Sequence, residues 1–232
     1  MRPSFRFFVF LLALLPSVLI FPSNLLAATI TVSSLNSGGS ISLSNNGEVV
    51  TVTGTDQINA LGWNTLKALS GYSFSLVLSN GQTSIPNYAM DVNTYITSFT
   101  ADSVTSIGNN AFRNCTSLTL TSLPSGLTSI GLGAFEFCTS LALTSLPSGL
   151  TSIGNSAFQS CTNLALTSLP SGLTSIGNSA FSFCQGLTLT SLPGGLTSIG
   201  DYAFQSCTNL ALTSLPSGLT SIGDGTFFEC TS

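Results

Sequence analysis

Charged residues are scarce in this chain of 232 residues, because only 5% of them are Asp, Glu, Lys or Arg. A typical soluble protein carries about a quarter. Lys and Arg number four against eight Asp and Glu, which gives a net charge of −4. Without a cluster of basic side chains the sequence argues against a nucleic-acid-binding protein. Solubility must instead come from hydroxyl and amide groups.

Histidine is absent from the chain. This excludes Ser-His-Asp and Cys-His nucleophile pairs, and also every metal site that needs an imidazole ligand. Clustered carboxylates and a glycine-rich phosphate loop in a suitable context are also missing. We therefore expect no catalytic residues, no cofactor and no metal, and predict that the protein is not an enzyme.

Long apolar runs are confined to the N-terminus, since no run after residue 28 reaches the ~18 residues that span a bilayer. Arg2 and Arg6 precede an apolar stretch at 7–21 and small residues near Ala28. This order is typical of a signal peptide over residues 1–28. The alternative is an uncleaved anchor, which two prolines in the segment disfavour. We predict a secreted or cell-surface protein, whose net charge falls by two when both arginines are removed.

A unit of 23 residues recurs from residue 104 to the end of the sequence. Each copy has a Phe at the same position, and three residues later its one Cys. The Phe positions are Phe112, Phe135, Phe158, Phe181, Phe204 and Phe227, and the Cys positions are Cys115, Cys138, Cys161, Cys184, Cys207 and Cys230. A fixed period of this length predicts a solenoid, in which each repeat stacks on its neighbours.

The segments before the repeats differ from them. Residues 29–56 alternate like strands around Asn45-Asn46-Gly47, which predicts a hairpin in a β-rich N-terminal segment. Residues 57–103 start with a helical pattern and then drift into the repeat, so we expect an N-terminal cap with degenerate repeats. Residues 104–232 form the repeat array, and the last repeat is incomplete.

Within one unit, Leu164-Ala165-Leu166 alternates as a strand does, and Leu169-Pro170-Ser171-Gly172 predicts a turn. A second short extended piece follows at 173–176. Residues 178–184 then predict about one helical turn, whose inner face carries Ala180, Phe181 and Cys184.

The pattern L-x-x-L-P-S-G-L-T-S-I-G-x-x-A-F-x-x-C-T-x-L over about residues 85–232 resembles the BspA-like class of leucine-rich repeats. The resemblance implies an α/β leucine-rich repeat solenoid, with a parallel sheet on the concave side and short helical turns on the convex side. It also implies a secreted or surface-exposed protein that adheres to host or matrix proteins. The chain departs from the family at L-x-L-T-S-L-P, where the family more often has a β-branched residue.

The cysteines allow two interpretations. One inward-facing Cys per repeat predicts a structural ladder of buried free thiols. Secretion and the even count favour disulfides instead, and stacked repeats are close enough for them. A disulfide also needs Cβ atoms that face each other, whereas stacked equivalent positions point the same way, so we favour free thiols.

Exposed aromatic residues are the candidates for binding a partner. Positions on the predicted helical-turn side vary between repeats, and four of them hold aromatic side chains: Phe137, Phe183, Tyr202 and Phe228. Exposed aromatics can anchor a protein partner. Packing along the convex surface is the alternative. We therefore predict an adhesion or protein-binding scaffold with a host or matrix protein as partner.

Ladders of Thr and Ser suggest a second function. Equivalent threonines recur at Thr121, Thr144, Thr167, Thr190 and Thr213, and again at Thr128, Thr151, Thr174, Thr197 and Thr220. A flat, uncharged array of hydroxyls could bind ice or a polysaccharide, or be purely structural. Thr is also common in β-strands, so these ladders do not by themselves require a binding function. Because the last copy stops at Ser232, we further expect a fragment, fraying at 224–232, or end-to-end self-association.

Overall fold

The structure, a computed structural model, describes residues 29–30, 40–43, 49–53, 58, 60–69, 73–79 and 81–231. The predicted signal peptide at 1–28 and the hairpin turn at 45–47 lie outside the described residues. Described strands and the helix follow in chain order. They are β1 (Thr29–Ile30), β2 (Ser40–Leu43), β3 (Val49–Thr53), α1 (Ala60–Lys67), β4 (Phe74–Ser79), β5 (Ser84–Ile85), β6 (Ile96–Ala101), β7 (Ser106–Ile107), β8 (Ser129–Ile130), β9 (Ser152–Ile153), β10 (Ser175–Ile176), β11 (Ser198–Ile199) and β12 (Ser221–Ile222).

The N-terminal part is a five-stranded sheet in the order β1-β2-β3-β4-β6. β2 pairs antiparallel with β3, as the hairpin pattern predicts. β3, β4 and β6 are parallel, and α1 lies in the connection between β3 and β4. Alternate residues of β4, at Phe74, Leu76 and Leu78, are buried. The sheet therefore presents one apolar face to the core.

Asn93 joins this N-terminal part to the repeats. Its Nδ2 donates to the carbonyls of Lys67 and Leu69 at the end of α1, at 3.0 and 3.1 Å. Its Oδ1 accepts from the backbone N–H groups of Tyr95 and Ile96, both at 2.9 Å. Asn93 is buried, and these four bonds use its amide fully.

The repeats stack as a parallel β-solenoid. Each repeat contributes a two-residue Ser-Ile strand, and equivalent residues pair in register, as Ser175 does with Ser198 and Ile176 with Ile199. The Ile side chains of β5 and of β7 to β11 are buried, whereas the Ser side chains are not. Period-2 alternation thus places one residue of each strand in the core.

The phenylalanines of the repeats form one continuous stack in the core. Rings from Phe112 to Phe227 follow each other at 5.4 to 5.7 Å between centroids and within 10° of parallel. The stack follows the solenoid axis, with one ring from each repeat.

The fold class is confirmed, but two local elements differ from the sequence prediction. The segment predicted as a helical turn is a run of hydrogen-bonded turns, and α1 is the one helix within the described ranges. The Leu164-Ala165-Leu166 segment forms no strand and is joined to its neighbours by isolated bonds, such as Ala165 N–H to the Leu143 carbonyl at 3.1 Å. The inter-repeat strand is instead the Ser-Ile pair.

The short strands are divided into two sheets, β5-β7-β8 and β9-β10-β11-β12. The division coincides with Leu132, which stands where the other repeats have Asn or Asp. Elsewhere the Oδ1 atom at this position accepts from the equivalent N–H of the next repeat, as Asn155 does from Asn178 at 2.9 Å. Leucine has no acceptor for the N–H of Asn155. The side-chain ladder is therefore broken where the sheet divides.

Candidate functional site

The turn side of the solenoid consists of Asn109–Cys115 and the equivalent residues of the other repeats. Backbone N–H groups here alternate in direction. Those of Asn110, Phe112 and Asn114 donate to carbonyls of the next repeat at 2.7 to 2.8 Å. Those of Arg113 and Cys115 donate within the segment, at 3.3 and 3.1 Å. The turn side is thus hydrogen-bonded along the solenoid axis, as a sheet is.

This bonding requires a left-handed backbone at two positions of each repeat. The first ladder of such residues is Tyr88, Asn110, Gly133, Ser156, Ser179, Tyr202 and Gly225; the second is Val92, Asn114, Phe137, Ser160, Phe183, Ser206 and Glu229. All have φ between 53° and 60°. Gly and Asn suit this conformation, whereas a bulky or β-branched residue is an outlier there.

Two aromatic residues occupy the second ladder. Phe137 has φ 59° and Phe183 has φ 60°, and their side chains are 40% and 39% exposed. A strained backbone costs about 1–3 kcal/mol per residue, and half-exposed rings offset little of it. Small polar residues, Asn114 and Ser160, meet the same backbone demand in neighbouring repeats. The fold therefore does not require these two rings.

The other two predicted aromatics lie elsewhere on the turn side. Tyr202 belongs to the first ladder, and its ring lies over Gly225 of the next repeat, where a Cβ would come within 2.7 Å of the ring atom Cδ1. Phe228 belongs to neither ladder and is exposed. The structure thus places Phe137 and Phe183 in one row and does not bring all four candidates together.

Val92, Tyr88 and Leu132 are exposed apolar residues on the turn side that the sequence analysis missed. Val92 is 57% exposed with φ 60°, two repeats before Phe137 in the second ladder. The 22-residue offset between the degenerate repeat and the first regular one would have aligned Val92 with Asn114. Leu132 is visible in the sequence as the one departure from Asn or Asp at its position.

The cysteines form a buried column of free thiols, of which Cys230 is partly exposed. Each Sγ donates to the carbonyl of a Phe in the preceding repeat, or to that of Met90 for Cys115. Cys161, for example, donates to Phe135 at 3.0 Å. Burial raises the pKa of Cys115 and Cys207 to about 12. Such thiols are poor nucleophiles.

Thr side chains divide into two kinds. Hydroxyls of Thr128, Thr174, Thr197 and Thr220 donate to the Thr carbonyl of the preceding repeat at 3.0 to 3.1 Å. These donors are therefore satisfied within the fold. The row formed by Thr121, Thr144, Thr167, Thr190 and Thr213 is exposed.

Charges near the turn side are distributed unevenly. Arg113 forms a bidentate ion pair with buried Asp91, in which Nε and Nη2 donate to the two carboxylate oxygens at 2.9 and 3.1 Å. The Nζ atom of Lys67 lies 3.8 Å from the same carboxylate. Desolvation raises the pKa of nearby Glu136, although Arg113 opposes the shift. In the last repeats Asp201, Asp224 and Glu229 make no ion pair among the residues that the structure describes. That end is therefore acidic.

No group of three or more Cys, Asp or Glu side chains in the described part of the chain could hold a metal ion. Nor is any helix among the described residues long and apolar enough to cross a membrane. The geometry is that of a repeat scaffold with a hydrogen-bonded turn face. This is the architecture of a leucine-rich repeat solenoid.

The sequence profile of the BspA type leucine rich repeat region matches residues 57–164, 83–211 and 134–232, with six copies. The chain therefore belongs to the BspA-type leucine-rich repeat family. This fold is generally a protein-interaction scaffold and typically a non-enzymatic one. Among curated proteins, none matches the sequence.

Two solved structures share the fold, and a third is similar in sequence. A leucine-rich repeat protein of T. pallidum, TpLRR, is 28% identical, with a TM-score of 0.60 over 82% of this chain and 86% of that one. A leucine-rich repeat protein of Bacteroides ovatus is 23% identical, with a TM-score of 0.52 over 84% of this chain and 56% of that one. A leucine rich cell surface protein of Faecalibacterium prausnitzii is 22% identical over 87% of this chain and 74% of that one, with a TM-score of 0.39.

Proposed function

We propose that the protein is a binding scaffold that holds a protein partner on its turn side through Phe137 and Phe183. The observation that carries the proposal is the pair of half-exposed rings on left-handed backbone, in a ladder where Asn and Ser serve equally well. Strain that the fold does not need favours a functional role. Exposed aromatics that a partner can desolvate are typical binding anchors.

Export and display at the cell surface are part of this proposal. The basic and apolar pattern of residues 1–28 supports export, and the adhesion role follows from the family resemblance. Mass measurement of the mature chain from its native host tests export. Cleavage near Ala28 is the expected result, and an intact N-terminus in the cytoplasm would contradict it.

The experiment for the scaffold function compares the parent chain with Phe137→Asn/Phe183→Asn on a panel of immobilised matrix proteins. Asn already occupies this ladder at Asn114, so the backbone is expected to stay intact. We expect at least one matrix protein to bind the parent, with about a tenfold loss in the double variant, since two anchors of this kind are worth over 1.4 kcal/mol. Binding that the double variant retains in full would exclude this surface.

The Thr and Ser ladders support the second candidate, a structural or ice- or polysaccharide-binding array. Its support is the exposed row from Thr121 to Thr213, which repeats once per rung of the solenoid. Thermal hysteresis or glycan binding that is lost on Thr144→Val/Thr167→Val would favour it. If that variant keeps either activity, this row of threonines is not the binding surface.

A second copy of this chain is another candidate partner, bound through the edge of strand β12. Within the described residues β12 is paired on one side, with β11, and its Ile222 is 48% exposed. An open strand edge is a template for pairing with another chain. Sedimentation velocity tests end-to-end association. A concentration-dependent dimer that Ile222→Lys dissociates would support it, and a monomer at all concentrations would contradict it.

A further inference from the structure

Tyr202 lies against the backbone of the next repeat and remains partly exposed. It belongs to the first ladder, with φ 54°, and its side chain is 45% exposed. Its ring lies over Gly225, where a Cβ would come within 2.7 Å of the ring atom Cδ1. The missing side chain of Gly225 therefore leaves the space that the ring occupies, and the rest of the ring is open to solvent.

The fold does not require an aromatic residue at this position. Ser156 and Ser179 hold the same place in the two preceding repeats, with φ of 54° and 53°. Their N–H groups donate to the next repeat at 2.8 Å, and the N–H of Tyr202 donates to the Asp224 carbonyl at the same distance. A bulky residue is an outlier at positive φ, so the ring adds strain without adding a backbone bond. Strain of this kind favours a binding role.

Two carboxylates flank the ring. Asp201 directly precedes Tyr202, and Asp224 directly precedes the glycine under the ring. Oδ1 of Asp201 accepts from the backbone N–H of Asp224 at 2.9 Å, which holds the two acidic residues side by side. Neither forms an ion pair with any residue that the structure describes. The preceding repeat has Asn178 and Ser179 in this place, so the ring and the charges are both local to the last two repeats.

The described part of the chain supplies no basic residue for these carboxylates. Of the four basic residues in the sequence, Arg2 and Arg6 lie in the predicted signal peptide. The other two are at the opposite end of the turn side, where Arg113 and Lys67 contact Asp91 at 2.9 and 3.8 Å. A cation at the last two repeats must therefore come from another molecule.

An exposed aromatic ring between two carboxylates suits an organic cation. The ring attracts an ammonium or guanidinium group through its quadrupole. The carboxylates add Coulomb attraction and accept charge-assisted hydrogen bonds. A metal ion fits less well, because no three Cys, Asp or Glu side chains of the described residues could hold one. A protein partner offers the organic cation as Arg or Lys, and the planar guanidinium of Arg can also stack on the ring.

We propose that the surface formed by Asp201, Tyr202 and Asp224, the cation patch, binds an Arg or Lys side chain of the protein partner. The proposal rests on the scaffold function above and adds the chemistry of the partner. Phe183 donates its N–H to the Gln205 carbonyl at 2.8 Å, in the same repeat as Tyr202. The partner segment therefore carries a basic side chain beside the apolar groups that contact Phe183. Charge complementarity of this kind also accelerates association at low ionic strength.

The test measures fluorescence polarisation of labelled oligoarginine and oligoglutamate peptides with the parent chain, at low and at physiological ionic strength. We expect oligoarginine to bind and oligoglutamate not to bind. Tyr202→Ser should weaken oligoarginine binding about two- to fivefold, because an exposed cation–π contact is lost. Tyr202→Phe should bind as the parent does, since the ring is kept. Asp201→Asn/Asp224→Asn should weaken binding further and reduce its salt dependence.

Two controls separate the cation patch from a general attraction to an acidic protein. Asn178 and Ser179 show that Asn and Ser fit this part of the repeat, so the variants are expected to fold, with urea midpoints close to that of the parent. Asp102→Asn is the matched charge control, because Asp102 is an exposed carboxylate outside the turn side. It should leave oligoarginine binding unchanged.

Three results would overturn the proposal: no binding of oligoarginine at low ionic strength, no loss in Tyr202→Ser, or an equal loss in Asp102→Asn. The last two would mean that the peptide follows net charge alone. Capture on matrix proteins that depends on Phe137 and Phe183 but not on Tyr202 would refute the cation patch and leave the scaffold function standing.

Discussion

A turn-side residue of the second ladder, whose backbone is left-handed, directs its N–H along the solenoid axis and donates it to a carbonyl of the next repeat. Asn114 and Ser160 do this with small polar side chains, and Phe137 and Phe183 do it with large apolar ones. The sequence shows that aromatics occur at this position but not the sign of φ. The strain at Phe137 and Phe183 therefore could not be predicted from the period.

Thiol reactivity follows from the burial of each cysteine. Cys115, Cys138, Cys161, Cys184 and Cys207 are buried with pKa values raised by desolvation. Cys230 is partly exposed, although desolvation raises its pKa as well. Iodoacetamide at neutral pH should modify Cys230 alone. The other five thiols should react only after urea unfolds the chain. Native labelling of Cys161, or disulfides found by mass spectrometry, would contradict the thiol column.

Glu136 should make stability depend on pH. Its folded pKa is raised from the ordinary value of 4.5, chiefly by desolvation. An acid with a raised folded pKa contributes stability below the unfolded pKa and loses that contribution as pH rises through the folded pKa. Glu136→Gln should therefore raise the urea midpoint at pH 7 and leave it unchanged at pH 3. A lower midpoint at pH 7 would mean that attraction to Arg113 outweighs desolvation.

At the scale of one element, a repeat keeps its place through its bonds to the next one. Leu132 interrupts the Asn and Asp ladder between β8 and β9. Leu132→Asn should supply the missing acceptor for Asn155 N–H and stabilise the chain by about 1 kcal/mol. Slower hydrogen exchange of the Asn155 amide reports the new bond directly.

The matched control for this prediction is Asn109→Leu, which removes an acceptor that Leu132 N–H now uses at 3.0 Å. It should destabilise by a similar amount and speed the exchange of the Leu132 amide. If Leu132→Asn leaves the exchange of Asn155 unchanged, the broken ladder does not explain the divided sheet.

The buried face of the turn segment could be predicted from the sequence, but its hydrogen bonding could not. The spacing of Ala180, Phe181 and Cys184 predicts an inward face, and all three are buried. A single helical turn gives the same spacing as the observed hydrogen-bonded turns. Only the bonds between repeats, such as Phe181 N–H to the Ala203 carbonyl at 2.8 Å, distinguish the two. Those bonds depend on stacking, which a local pattern does not encode.

Across the whole molecule, the 23-residue period predicts the solenoid, because each repeat can bury its Leu, Ile and Phe side chains only against its neighbours. The Phe stack from Phe112 to Phe227 is the direct result. The division into signal peptide, β-rich segment, cap and array remains a prediction. The sequence singles out Phe137 and Phe183 as candidate exposed aromatics, but their common row on left-handed backbone required the structure.

Residues that hold the solenoid together differ in burial from the residues that we propose contact a partner. Core rings such as Phe158 are fully buried, and truncation of a buried Phe costs about 3–5 kcal/mol. Phe137 and Phe183 belong to the second group. Replacing them relieves backbone strain and removes little burial, so the fold should not lose by it.

The free energy of unfolding of Phe137→Asn/Phe183→Asn, measured by urea denaturation beside the parent chain, tests this separation most directly. We predict a value equal to that of the parent or higher by about 1 kcal/mol, since Asn adopts left-handed backbone more readily than Phe. A fall of more than about 2 kcal/mol would contradict the account, because it would show that the two rings are part of the core.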